Sequence, residues 1–227
     1  MGLAEKFVRQ CRRPEGLLGR LVGRAMNTGH KKIHRWSLRY VSAKSYSAVL
    51  DVGCGGGGAL REMASLFPGA KLFGIDYSQD MVLLAKKVNR GLIEAGRIEI
   101  AHGSVSSLPY SDNTFDLITA FEAYYFWPEL DHDLQELKRV LRPGGTLLLA
   151  NEVYENEKFR ERNRKWASWV NMRIHYPKDY REFLMTAGYR EIEVHEVIEK
   201  NWIAATGKKL IEGSFSTGCD SAEITAR

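Results

Sequence analysis

The stretch that most constrains the fold is Val49-Leu50-Asp51-Val52-Gly53-Cys54-Gly55-Gly56-Gly57-Gly58. An apolar run ends in an acid, opens into a glycine turn and gives way to a helical pattern. Glycine lacks a Cβ, so such a turn can take positive φ and let its backbone approach a ligand closely. The same rhythm of short apolar runs and longer amphipathic ones continues along the chain. Strands are predicted at 47–52, 71–75, 97–101, 115–120 and 145–151, with helices at 58–67, 78–90 and 128–141 between them. That alternation predicts an α/β fold of βαβ units, with a parallel sheet and right-handed crossovers placing helices on both faces.

The two ends depart from this rhythm. In Gly16–Met26, residues Leu17, Leu18, Leu21, Val22, Ala25 and Met26 share one helical face, with Arg20 and Arg24 opposite. After Asn27-Thr28-Gly29 a second helix is predicted from His30 to about Ser42, so residues 1–45 read as a basic helical cap on a 46–209 domain. Beyond residue 152 a charged helix runs to about Asn171, and Pro177 opens another that Gly188 stops. Two closing strands, Ile192–Val197 and Trp202–Ala205, are joined by only Ile198-Glu199-Lys200-Asn201, which requires an antiparallel hairpin. The polar segment 210–227 reads as a loosely held tail.

Charge is uneven. Residues 1–45 carry 11 Lys or Arg against two Glu, whereas the rest carries 22 against 26 Asp or Glu. A basic arm of this kind suits nucleic acid, anionic lipid or an anionic substrate, or is a solvated helix face. No apolar run approaches the roughly 20 residues needed to span a bilayer, and the N-terminus lacks a signal peptide's apolar stretch. Cys11, Cys54 and Cys219 are too few and too scattered for a zinc site or a disulfide framework. Together these features predict a cytoplasmic protein with reduced thiols.

Gly53, Gly55 and Gly58 satisfy G-x-G-x-x-G, which raises a dinucleotide enzyme as a reading. Asp51 argues against it, because the acid stands two residues before the first glycine, where a pyrophosphate would meet its charge. A cationic ligand fits better. The second strand, Leu72-Phe73-Gly74-Ile75-Asp76, ends in an acid 25 positions after Asp51, near the roughly 20-residue spacing of a ribose-binding carboxylate. The competing role for Asp76, helix N-cap, is one that Ser78 fills equally well. Met81 on the following turn suits an adenine face.

The run Asp51-Val52-Gly53-Cys54-Gly55-Gly56-Gly57 resembles motif I of class I S-adenosylmethionine-dependent methyltransferases. Asp76-Tyr77-Ser78-Gln79-Asp80-Met81 resembles the family's motif after strand two, Phe115-Asp116-Leu117-Ile118 its fourth strand, and Leu141-Arg142-Pro143-Gly144-Gly145-Thr146-Leu147 the turn into its fifth. The resemblance covers about residues 46–208 and is closest to the small-molecule branch that includes quinone-biosynthesis C-methyltransferases. It implies a Rossmann-like, seven-stranded, mostly parallel sheet closed by an antiparallel hairpin. It also implies S-adenosylmethionine as cofactor, S-adenosylhomocysteine as product and a small-molecule acceptor. The cofactor residues it implies are Asp51, Gly53, Cys54, Gly55, Gly57, Asp76, Tyr77, Met81, Gly103, Ser104, Val105 and Phe121. One departure stands out: the family's Gly-Asp-Ala turn reads Gly103-Ser104-Val105, which replaces the carboxylate expected at the adenine amino group by a hydroxyl.

Methyl transfer is an in-line displacement that depends on placing the nucleophile about 3–3.5 Å from the methyl carbon and excluding water. The acceptor belongs beside the ends of the fourth and fifth strands, Phe121-Glu122-Ala123-Tyr124-Tyr125-Phe126-Trp127 and Asn151-Glu152-Val153-Tyr154. Glu122, Tyr124, Tyr125 and, from the cap, His30 are the candidate catalytic residues. The aromatic residues suit an apolar pocket and cation–π contact with a sulfonium, while Glu122 or Glu152 suits orientation or deprotonation of the acceptor. His30 and His34 stand one turn apart with no third ligand nearby, so no metal is expected. Rival readings are a membrane-surface quinone or lipid methyltransferase, given the basic amphipathic form of 16–26, a nucleic-acid methyltransferase, and a non-catalytic S-adenosylmethionine-binding protein. The fourth strand lacks an Asn-Pro-Pro-Tyr or Pro-Cys motif, which disfavours nucleic acid.

Overall fold

The computed structural model describes residues 16–41 and 45–211, apart from the side chain of Leu17. Cys11, Cys219, Ser42 and most of the segment expected as a tail lie outside the described residues. Helices α1 (Gly16–Gly29) and α2 (Lys31–Leu38) lead into β1 (Ala48–Val52), α3 (Gly58–Leu66), β2 (Lys71–Asp76), α4 (Gln79–Val88), α5 (Arg90–Glu94) and β3 (Ile98–His102). Then come β4 (Phe115–Phe121), α6 (Leu130–Val140), β5 (Leu141–Asn151), α7 (Arg160–Val170), α8 (Pro177–Thr186), β6 (Tyr189–Val197) and β7 (Trp202–Lys209). The strands form one seven-stranded sheet in the order β3-β2-β1-β4-β5-β7-β6. β1 to β5 pair in parallel, and β7 is antiparallel to both β5 and β6.

Period-two alternation sends successive strand residues to opposite faces. Leu50, Ile118, Leu147 and Leu149 join one core, where Leu134 and Leu137 of α6 meet Tyr180 and Leu184 of α8. Val49, Leu117, Leu148 and Ala150 join the other, where Ile33 and Trp36 of α2 meet Leu60 and Met63 of α3. Helices cover both faces. The strand order reverses between β1 and β4, whose carboxyl ends lie side by side while the chain leaves them in opposite directions, toward β2 and toward β5, and this opens a crevice there.

Several boundaries differ from the sequence reading. β5 starts at Leu141 instead of 145, because Leu141 pairs with Phe115 before the register slips to Leu117 with Thr146. Residues 142–145 form the irregularity, with Gly144 at φ 78°. The single helix expected over 78–90 is two, broken at Asn89, whose Nδ2 donates to Gly57 O and Ala85 O at 3.0 Å each. β6 begins at Tyr189 and carries a bulge around Glu191 (φ 47°), which hid its first residues from the alternation.

In the structure α1 divides the single apolar face read for it. Its inward face is Gly19, Val22, Gly23 and the half-buried Met26 and Asn27, while Leu18 and Leu21 are 54% and 59% exposed. The cause is close packing on α4. A Cβ added to Gly23 would lie 2.8 Å from Met81 Sδ and 3.0 Å from Leu84 Cδ2, so glycine lets the two helices meet this closely without displacing those side-chain ends.

Candidate active site

The glycine loop is folded back over the end of β2. Gly53 N–H and Cys54 N–H both donate to Ile75 O, at 2.8 and 3.1 Å. Gly53 has φ 73°, and a Cβ there would meet Ala123 Cβ at 2.7 Å, so two separate constraints demand glycine. Asp76 then ties loop to strand. Its Oδ2 accepts from Gly55 N–H and its Oδ1 from Ser78 N–H, each at 2.8 Å. A carboxylate has about four lone-pair sites, so two remain for hydroxyl donors of a ligand. The N-cap role falls to Ser78, whose hydroxyl accepts from Met81 N–H.

Two asparagines clamp the same loop from outside. Asn27 of α1 donates to Gly56 O at 2.9 Å and accepts from Gly58 N–H at 3.3 Å. Asn89 holds Gly57 from the α4 side. Here α1 is bound directly to the turn that fixes the cavity's shape.

The loop forms the floor of a cavity of about 890 Å³ at the carboxyl ends of β1, β2 and β4. Asp51, Gly53, Cys54, Gly55, Asp76, Tyr77, Met81, Gly103, Ser104, Val105, Phe121, Glu122 and His30 all border it. Gly57, Tyr124 and Tyr125 are not among the lining residues. Gly57 faces Ala85 and Asn89, with 2.4 Å from a built Cβ to Asn89 Nδ2. Tyr124 is buried against Tyr180 and Phe183, its hydroxyl 3.1 Å from His175 Nδ1. Tyr125 stands behind Glu122, donating its hydroxyl to Oε2 at 2.5 Å.

Burial dominates the electrostatics. Asp51 is 1% exposed, and burial raises its pKa to about 7 against the hydrogen bond from Thr119 at 2.8 Å, with Asp76 adding to the rise. Burial also raises Asp76, opposed by the Ser78 and Gly55 N–H groups. Two buried acids facing a cavity suit a ligand that carries positive charge near Asp51, which would offset the desolvation there. Burial, then Asp76 and Asp51, push the Cys54 thiol well above its ordinary value, which removes it as a nucleophile.

Glu122 occupies the far wall with φ 54°, a conformation rarely taken by a residue with a side chain. Its backbone N–H donates to Ala150 O at 3.0 Å, while Oε1 accepts from Glu152 N–H and Oε2 from Tyr125, each at 2.5 Å. Burial carries its pKa to about 7, against those two hydrogen bonds. His30 Nε2 lies 3.9 Å from Glu152 Oε2; burial lowers the imidazole and Glu152 opposes this. Strained backbone held by a buried network at a cavity wall is a common mark of a functional position.

Sequence reasoning missed part of the wall. Ser168, Trp169 and Asn171 close the cavity from the end of α7, and His34 borders it beneath His30. Burial lowers His34 to about 3, so it is neutral at physiological pH. Asn27 was passed over as helix punctuation. Ser104 borders the cavity and its hydroxyl accepts from Ser106 N–H at 3.2 Å, which leaves one lone pair and the O–H proton for a ligand. Among the described residues no three His, Cys, Asp or Glu side chains are grouped to hold a metal ion.

Residues 50–149 match the methyltransferase-domain family by sequence. The matched stretch is similar to a methyltransferase domain. Demethylmenaquinone methyltransferase of Bacillus mycoides is 32% identical over 120 residues, covering 52% of this chain and 50% of that protein. A sterol 24-C-methyltransferase of Gibberella zeae is 33% identical over 130 residues, 54% of this chain and 33% of that protein. The chain thus spans half or less of the length of these relatives. Human N-acetylserotonin methyltransferase, solved in complex with S-adenosylmethionine, shares the fold at a TM-score of 0.68 and 21% identity, covering 85% of this chain and 56% of that one.

Proposed function

We propose that this chain transfers the methyl group of S-adenosylmethionine to a small-molecule acceptor. The observation that carries the reading is one continuous cavity that joins the glycine loop, Asp51 and Asp76 to the Glu122 wall. The residues fit the cofactor: Asp76 has lone pairs left for ribose hydroxyls, Met81 and Val105 border a slot for adenine, and Asp51 faces the methionine end as a buried acid lacking a cation. When bound, the cofactor supplies an electrophilic methyl on sulfur. The chain's own residues orient the acceptor, exclude water and take up a proton where one is lost.

Glu122 is the proton acceptor in this proposal, since a group of pKa about 7 is half ionised at neutral pH. Tyr125 and the Glu152 N–H position it, and His30, at the junction of α1 and α2, contacts the acceptor. Phe126, Trp127 and Trp169 favour an acceptor with an apolar or aromatic body. Among the described residues no helix is long and apolar enough to cross a membrane. With the free Cys54 thiol, this supports a cytoplasmic enzyme.

Calorimetric titration with S-adenosylmethionine, S-adenosylhomocysteine and NAD, repeated on Asp76→Ala, tests the cofactor. Binding of the first two and its loss in the variant is the expected outcome. NAD binding with silence from the other two overturns it.

A further inference from the structure

The segment 16–41 holds six Lys or Arg and no Asp or Glu. Within it α1 departs from the usual arrangement of an amphipathic helix, because Gly19, Val22 and Gly23 face inward while Leu18 and Leu21 face water. Leu18 and Leu21 lie one turn apart and more than half exposed, and Ala25, also exposed, continues their stripe by another turn. Arg20 and Arg24 flank the stripe, with exposed Lys31 and Lys32 just beyond the helix end. The nearby acid is Asp80, 3.7 Å from Arg20. The opposite face of the same helix is cavity wall, through Gly23, Met26 and Asn27, and His30 just past its end continues that wall.

We propose that α1 seats this protein on an anionic lipid bilayer, with Leu18 and Leu21 among the acyl chains and the neighbouring cations at phosphate level. Charge complementarity alone would serve nucleic acid equally well. The solvent-facing leucines decide for lipid, since phosphate backbones offer nothing to bury them. Seated this way, the helix has membrane on one side and cavity on the other, and the acceptor class becomes amphiphiles dissolved in the bilayer. That last step rests on the methyltransferase reading; the docking itself does not.

The test is co-sedimentation of the full chain with vesicles of equimolar phosphatidylcholine and phosphatidylglycerol, against phosphatidylcholine alone. Wild type should sediment with the anionic vesicles and stay in solution with the neutral ones. Leu18→Ser/Leu21→Ser should partition at least about tenfold more weakly, the scale of losing one partly buried leucine. Arg24→Gln/Lys31→Gln/Lys32→Gln should weaken binding comparably and flatten its dependence on salt. Each variant is also titrated with S-adenosylmethionine, and unchanged affinity shows that the fold and the inner face of α1 are intact. Wild type that ignores anionic vesicles overturns the proposal. So does a leucine variant that sediments like wild type, and in that case equal binding to duplex DNA would assign the basic surface to nucleic acid. Vesicle binding without cofactor binding would instead retain the docking and discard the enzymatic reading.

Discussion

Asp51 ties cofactor affinity to pH in a way the structure makes quantitative. With a pKa of about 7 in the free protein, its carboxyl is about nine-tenths ionised at pH 8 and one-tenth ionised at pH 6. A ligand whose positive end requires the carboxylate binds only the ionised fraction. Affinity for S-adenosylmethionine should therefore fall about tenfold from pH 8 to pH 6, about 1.4 kcal/mol. Asp51→Asn should be weaker at pH 8 and lose that slope, while Glu122→Gln, which removes the other cavity group titrating near 7, should keep it. Stability moves the opposite way. The folded pKa lies above the unfolded value near 3.9, so the native state holds the extra proton and stability declines as pH rises from about 4 to about 7. Asp51→Asn removes that decline and should melt higher than wild type at pH 8 without ligand. Calorimetric affinities at both pH values, paired with thermal melts, measure both effects. A wild-type slope that survives in Asp51→Asn would refute the reasoning.

Two further expectations follow from the walls of the cavity. Asn27→Ala removes the clamp on Gly56 and Gly58 and leaves two loop groups unsatisfied; it should cost roughly 1–3 kcal/mol, read as a drop of about 2–4 °C in Tm per kcal/mol, and weaken S-adenosylmethionine binding. With an acceptor found by screening, kcat should rise with pH to half-maximum near 7, and Glu122→Gln should lose roughly 10²-fold or more with the cofactor Kd held; a variant with wild-type kcat would remove Glu122 from the chemistry.

The cofactor half of the site was legible because it is written in local backbone chemistry. Gly53 has to be glycine for its φ and for the approach of Ala123, and Asp51 and Asp76 stand at the carboxyl ends of adjacent strands, Asp51 one residue before the end of β1 and Asp76 the last of β2. The closing hairpin was equally plain, since a four-residue link admits no crossover. The acceptor half depends on packing between distant segments. Nothing local marks Ser168, Trp169 and Asn171 as cavity wall, because only the docking of α7 brings them there. Tyr124 and Tyr125 share a short helical turn with wall residues but point into the core behind it. In α1, periodicity grouped Leu18, Leu21, Val22, Ala25 and Met26 on one face, and packing splits that face: Val22 and Met26 turn inward beside Gly23, where α4 comes close, and Leu18, Leu21 and Ala25 stay outside.

The cavity wall runs from Gly23 in α1 to Asn171 beyond α7, and Asn27 fastens its first part to the loop that starts the sheet. A ligand filling that space therefore acts as a removable staple between segments that the chain itself joins only at long range. By mass action, occupancy at 100 times the Kd adds about 2.7 kcal/mol to the folded state. The folded population of this chain would then follow the cell's supply of its ligand.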